Sequence, residues 1–91
     1  MELPVGKVTH YYNRIHVAVL KLRSELKTGE TIHILGHTSD FIQPVRSLEI
    51  EHEKVRSVGA GQEVALLVVE PVRRGDVVYK VVVEKAPAES G

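Results

Sequence analysis

The chain has 91 residues, 43% of them hydrophobic, and its 12 basic and 12 acidic side chains give a formal net charge of zero. This length allows one domain with a single small core. The charge balance argues against a strong, sequence-independent nucleic-acid binder, and the lack of cysteine excludes disulfides and thiolate sites. With no basic leader before an apolar run and no apolar stretch of membrane-spanning length, we expect a soluble cytoplasmic protein.

The first half of the chain predicts three strands. Residues 5–12 form the first. Residues 15–22 form the second, whose apolar character on both faces suits the inside of a closed barrel. The third strand follows a tight turn at Gly29, because glycine accommodates positive φ. Residues 31–34 then alternate between polar and apolar side chains, which predicts a half-buried strand with its isoleucines facing the core.

The stretch 41–53 follows a polar turn at residues 36–40 and predicts one longer strand. Its second half alternates, with Leu48, Ile50 and His52 on one face and three glutamates on the other. The glutamate row indicates a solvated face that discourages edge-to-edge pairing and could also receive a basic partner. Pro44 lacks a backbone donor and therefore indicates a break, a bulge or an edge position early in this strand.

The last third predicts two further strands and a tail. Residues 63–70 form a buried strand, and residues 77–84 form the final one after a turn at 71–76. Residues 86–91 resemble a frayed, disordered tail behind a single domain of residues 1–85. About six strands, short glycine turns and no convincing helix predict an all-β fold, a closed antiparallel Greek-key barrel. A small sandwich is the alternative.

Three blocks of sequence in fixed order resemble a known fold family. They are Leu26-x-x-Gly29-Glu30-x-Ile32, Ala60-Gly61-x-x-Val64-Ala65-Leu66 and Val72-Arg73-x-Gly75-Asp76-Val77. Together they resemble domain 2 of translational GTPases, such as elongation factor Tu and the initiation factor that delivers initiator tRNA. The stretches 6–11, 36–41 and 50–52 are similar to small stand-alone translation elongation factor-like proteins. His16 departs from that pattern, which has glycine before Val17.

The resemblance implies a translation-factor-type barrel, and it does not imply GTP hydrolysis. The chain has no G-x-x-x-x-G-K-[ST] loop, so we expect no nucleotide and no other cofactor. A non-catalytic module that binds a tRNA end, rRNA or a translation-associated protein is the leading interpretation. The alternative is a protein-interaction accessory subunit of an RNA-modifying or peptidase-like enzyme. The sequence does not specify an oligomeric state.

Ten residues are candidates for ligand or partner contact: Lys7, His10, Tyr11, Tyr12, Arg14, His37, Asp40, Phe41, Arg73 and Arg74. The segment 7–14 combines basic side chains with two tyrosines, as stacking plus phosphate contact with a single-stranded RNA end would require. Rim tyrosines with solvated lysines are the simpler interpretation, and zero net charge favours it.

The histidines suggest two kinds of chemistry that the spacing does not support. His33, His37 and Asp40 are of ligand type, but they span a strand end and a turn and would not converge on a metal. His37, Ser39 and Asp40 are too close in one turn for a hydrolytic triad. We therefore expect neither a metal site nor an enzyme, and a His/Asp-dependent enzyme ranks last among the hypotheses.

Overall fold

The computed structural model describes residues 1–82, in which every regular element is a strand. The strands are β1 (Glu2–Tyr12), β2 (Val17–Leu22), β3 (Leu26–Lys27), β4 (Thr31–Leu35), β5 (Asp40–Pro44), β6 (Leu48–Ile50), β7 (Glu53–Val55), β8 (Ser57–Val58), β9 (Glu63–Leu67) and β10 (Val77–Val81). The all-β prediction is thereby confirmed. Over this range no helix is long and apolar enough to cross a membrane. The predicted tail, 86–91, lies outside the described residues, as does the end of the predicted last strand.

Eight strands form one sheet in the order β5-β4-β10-β1-β2-β9-β6-β7, and β3 pairs with β8 in a separate ribbon. Every pairing is antiparallel. The predicted closed barrel is wrong, because the end strands β5 and β7 do not pair with each other in the described range. Pro44 ends the edge strand β5, a position where a missing backbone donor costs no ladder bond.

A single hydrophobic cluster fills the inner face of the sheet. Its members come from both ends of the strand order, Phe41 from β5 and Leu48 from β6 among them. The sheet is therefore curled around one core, although its ends do not join. The side chain of Gln43 joins β5 to the backbone at the end of β9. Its Nε2 donates to the Leu67 carbonyl at 2.9 Å, and its Oε1 accepts from the Val69 amide at 2.8 Å.

The second strand begins later than predicted. It starts at Val17, and Ile15 lies in the preceding turn with 60% of its surface exposed. Val17 and Val19 are only half-buried, so the strand alternates and does not have the two buried faces of a barrel interior. His16 has a φ of 58°, a left-handed conformation that favours glycine. This backbone conformation explains why a glycine was expected at position 16.

The turn at Gly29 is confirmed. Gly29 has a φ of 92°, and residues 31–34 alternate between half-buried and buried, with Ile32 and Ile34 fully enclosed. The single strand predicted over residues 41–53 is wrong. The chain there forms β5, β6 and β7 and reverses at Glu51 and His52, so the three glutamates do not share one face.

The reversal between β6 and β7 is a two-residue hairpin loop. Ile50 pairs with Glu53, and the two residues between them have φ values of 51° for Glu51 and 68° for His52. Positive φ at both central positions is the type I′ geometry, in which asparagine followed by glycine is strongly preferred. Glutamate and histidine therefore hold this loop at a cost in free energy.

Replacing the loop by Glu51→Asn with His52→Gly should raise the free energy of unfolding by about 1 kcal/mol, because the left-handed strain is relieved. Urea denaturation monitored by circular dichroism measures the change. His37→Gly is the matched control, since His37 lies in an exposed turn without positive φ, and it should destabilise the fold. Equal or lower stability of the Asn-Gly variant would contradict the turn geometry.

Candidate interaction surfaces

A groove on the outer face of the sheet arises from a bulge in β1. The register of β1 with β10 shifts between Pro4 and Gly6. Val5 is buried in the core, and Gly6 has no side chain. The outer face of β1 therefore carries no side chain between Pro4 and Lys7. A Cβ at Gly6 would lie 2.5 Å from the Lys21 carbonyl oxygen, so only glycine allows β2 to approach this closely.

The groove has one cationic wall and one apolar wall. Lys21 and Arg23 line it on the β2 side, and Val77 and Tyr79 line it on the β10 side. Its volume is about 710 Å³. We call it the cationic groove, and Lys7 of β1 lies between its two walls, because its cross-strand partners are Lys21 and Val77. No sequence motif indicated Lys21, Arg23 or Tyr79, because only the strand order brings them together.

Two lysines of the cationic groove stand side by side. Lys7 on β1 and Lys21 on β2 are direct cross-strand partners, an arrangement of like charges that destabilises a sheet. Glu63 on β9 is the partner of Lys21 on its other side, away from the groove. Among residues 1–82, none of the ion pairs includes Lys7, Lys21 or Arg23.

A second surface is an exposed apolar patch around the β1–β2 turn. It consists of Tyr12, Ile15, Val17, Leu67 and Val69. Val17 and Leu67 are cross-strand partners, and Leu67 is 55% exposed. Next to the patch, an adjoining hollow of about 450 Å³ has an apolar floor and is bordered by acidic side chains of β6 and its hairpin loop. Tyr12, Ile15 and Val17 line this hollow together, and Leu67 lies opposite Val17; a group of exposed apolar side chains of this kind is typical of a contact region.

A histidine on β4 links two carboxylates across the sheet. His33 Nδ1 lies 2.8 Å from Glu2 Oε1, and its Nε2 lies 2.6 Å from Asp40 Oδ1. The hydrogen bond with Asp40, followed by that with Glu2, raises the pKa of His33 above its ordinary 6.5. The cluster contains no nucleophile, and its role is to join β1, β4 and β5.

The candidate residues of the segment 7–14 point in different directions. After a second bulge, between Val8 and His10, the rings of His10 and Tyr12 lie 4.2 Å apart on the outer face. Tyr11 is half-buried and packs against the core. Arg14 lies in the exposed turn beside the apolar patch. Of these side chains, only Lys7 lines the cationic groove.

The remaining candidates are separated from one another. Phe41 is 8% exposed and belongs to the core, so its ring is not offered to a ligand. His37 is exposed in its turn, and Asp40 is held by His33. Arg74 Nε donates to the Thr9 carbonyl at 3.4 Å. Arg73 is exposed.

The turn that contains His37, Ser39 and Asp40 does not form a triad. Ser39 is buried, and its hydroxyl donates to Asp76, which also accepts from the Arg73 amide at 2.9 Å. These bonds fasten one turn to the next and leave no free nucleophile beside a histidine. Within residues 1–82, no three histidine, aspartate or glutamate side chains are arranged to hold a metal.

Comparison with known proteins finds peptidases and no family model that matches the chain. The chain is 34% identical over 79 residues to an uncharacterized protease of Methanocaldococcus jannaschii, covering 86% of this chain and 19% of that protein. It is 36% identical over 81 residues to a collagenase of Porphyromonas gingivalis, covering 87% and 20%. The chain thus spans about a fifth of the length of the curated relatives it matches.

The solved structures that it resembles are of one isolated domain. The C-terminal domain of a U32 peptidase from Geobacillus thermoleovorans superposes with a TM-score of 0.81, covering 86% of this chain and 91% of that one. Its selenomethionine variant gives 0.79. Sequence identity is 18% in both, so the likeness shows the fold alone.

The resemblance to translation-factor domain 2 and to elongation factor-like proteins is therefore wrong, and so are the translation and RNA-binding roles that it implied. The three blocks misled for a physical reason. Their anchor glycines, Gly29, Gly61 and Gly75, all have positive φ, between 85° and 95°. The blocks report a turn followed by a strand, which many unrelated β folds need.

His33→Gln should lower the free energy of unfolding more at about pH 5.5 than at about pH 9. A pKa raised in the folded state means that the stabilisation is complete below about pH 6.5, the unfolded value, and is lost as pH rises through the folded value. Urea titrations of both proteins at the two pH values measure this difference. His37→Gln, at an exposed turn, is the control, and an equal loss at both pH values would contradict the His33 assignment.

Proposed function

We propose that this chain is a non-catalytic interaction module that serves a peptidase of the U32 kind. The observation that carries the proposal is the size of the match. The chain covers 91% of a structure that is itself only the C-terminal domain of such a peptidase, and about a fifth of each peptidase-named relative. A unit of this size corresponds to an appended domain, with the bulk of each relative outside it.

The side chains support a role without chemistry. Ser39 is buried and bonded to Asp76, and the carboxylates of Glu2 and Asp40 bind His33 with no nucleophile beside it. Catalysis by side chains requires a nucleophile or water position within reach of a base. The arrangement in residues 1–82 instead stabilises the sheet and leaves its outer face available for contact.

The apolar patch around the β1–β2 turn is the surface that we assign to the peptidase. Ile15 is 60% exposed, Leu67 55% and Val69 67%. Large apolar side chains held by a strand and a hydrogen-bonded turn offer a rigid contact area, and burying each contributes about 1.5–3 kcal/mol. The bordering glutamates would leave a polar rim, as transient interfaces have.

A domain exchange tests the proposal. The matching segment of the Porphyromonas gingivalis collagenase is deleted or replaced by this chain, and collagen hydrolysis is measured for both forms. We expect deletion to lower activity and this chain to restore it. Introducing Ile15→Ser with Leu67→Ser into the replaced form should reduce the restored activity about tenfold or more, because two apolar contacts are lost.

The control is Leu3→Ser, which changes an exposed leucine near the start of β1, at the opposite end of that strand from the patch, and should leave the restored activity unchanged. Folding of every form is checked by circular dichroism. The proposal is wrong if the isolated chain hydrolyses collagen by itself, or if the replaced enzyme is no more active than the deleted one.

A further inference from the structure

We propose that the cationic groove binds an extended peptide segment in which acidic and apolar side chains alternate. This inference concerns a ligand of the chain and goes beyond the role in serving a peptidase. It does not depend on the apolar patch, which lies at the other end of β2. The two proposals can therefore fail separately.

The walls of the groove have the repeat of an extended peptide. Lys21 and Arg23 are two residues apart on one side, and Val77 and Tyr79 are two residues apart on the other. Arg23 follows the last residue of β2 and continues its pairing with β1, since its amide donates to the Val5 carbonyl at 2.7 Å. An extended chain advances about 3.3 Å per residue, so each wall repeats at about 6.6 Å. Alternate side chains of a bound extended segment have the same repeat and point to opposite sides. Carboxylates would face Lys21 and Arg23, and apolar side chains would face Val77 and Tyr79.

The positive charges of the groove favour the binding of an anion. Lys7 and Lys21 are direct cross-strand partners and repel each other, and among the described residues neither belongs to an ion pair. A carboxylate placed between them would relieve this repulsion. Glu63 offsets Lys21 from the β9 side only, since it lies across β2 from the groove. Glu63 therefore offsets part of the charge of Lys21, and the charges of Lys7 and Arg23 belong to no ion pair among the described residues.

The bulge in β1 provides the room. With Val5 turned into the core and Gly6 lacking a side chain, the floor between Pro4 and Lys7 is bare backbone. A groove of about 710 Å³ lies above it. The floor belongs to a central strand that is paired on both sides, so a bound segment gains no ladder hydrogen bonds there. Recognition would rest on the two walls, and the affinity should be in the micromolar range or weaker.

A peptide fits this groove better than a nucleic acid does. A nucleic-acid footprint normally carries a basic stripe, whereas here the cations stand on one side and the opposite wall is apolar. Zero net charge over the whole chain adds no long-range attraction for phosphates. An alternating acidic and apolar segment matches both walls, and a polyphosphate backbone matches only one.

Fluorescence anisotropy with the full chain tests the proposal. The probe is a fluorescein-labelled peptide, Ser-Glu-Val-Glu-Val-Glu-Ser. The comparison peptide, Ser-Glu-Glu-Glu-Val-Val-Ser, has the same composition in blocks. We expect saturable binding of the alternating peptide and about fivefold weaker binding of the blocked one. Lys21→Gln with Arg23→Gln should weaken binding of the alternating peptide about fivefold or more, as two partly exposed ion pairs are lost.

The matched control is Lys54→Gln with Arg56→Gln, another exposed pair of cations two residues apart, which lies outside the groove and should not change the affinity. Thermal unfolding checks that each variant is folded. Three results would overturn the proposal. They are no binding at millimolar protein, equal loss in the control and groove variants, and displacement of the peptide by a single-stranded oligonucleotide at lower concentration than by unlabelled peptide.

Discussion

The pairing of β1 with both of its neighbours is the constraint on which the rest of the structure depends. β1 is the longest strand and lies between β10 and β2 in the middle of the eight-stranded sheet. Two bulges interrupt its registers, one after Pro4 and one after Val8. Bulges bend a strand and increase its twist, which allows the sheet to curl around one core. The edge strands need not pair, because the shared core and the hydrogen bonds from Gln43 to the end of β9 hold the two sides of the sheet together.

The same two bulges determine which side chains lie on the outer face of the sheet. The first removes side chains from the floor of the cationic groove, and the second turns Tyr11 inward while leaving His10 and Tyr12 outside. Lys21 of β2 and Arg23 just after it then lie on one side of β1, Val77 and Tyr79 of β10 lie on the other, and Lys7 lies between them. One face thus carries a groove at one end of β2 and an apolar patch at the other. This separation fits the two proposals, in which the peptidase binds at the apolar patch and a peptide binds in the cationic groove.

Local pattern predicted much of the fold and little of the site. Alternation across residues 31–34 and the turn at Gly29 were predictable because both are local properties of the backbone. The hairpin at Glu51 was missed, since neither Glu51 nor His52 signals the positive φ that it adopts. The groove was missed because Lys21 and Tyr79 are far apart in sequence, and only strand order brings them together. The three glycine-turn blocks also suggested the wrong family. A short turn motif is weaker evidence of family membership than an alignment over most of the chain.

Native-state hydrogen exchange followed by NMR tests the central role of β1 most directly. Amides differ in the free energy of the opening that exposes them, and those in the most stable unit exchange only on global unfolding. If β1 organises the sheet, its paired amides and those of β2 and β10 should exchange last, with the free energy of global unfolding. Amides of the edge strands β5 and β7 should exchange earlier. Exchange of β1 through a local opening, while β5 or β7 stays protected, would contradict the account.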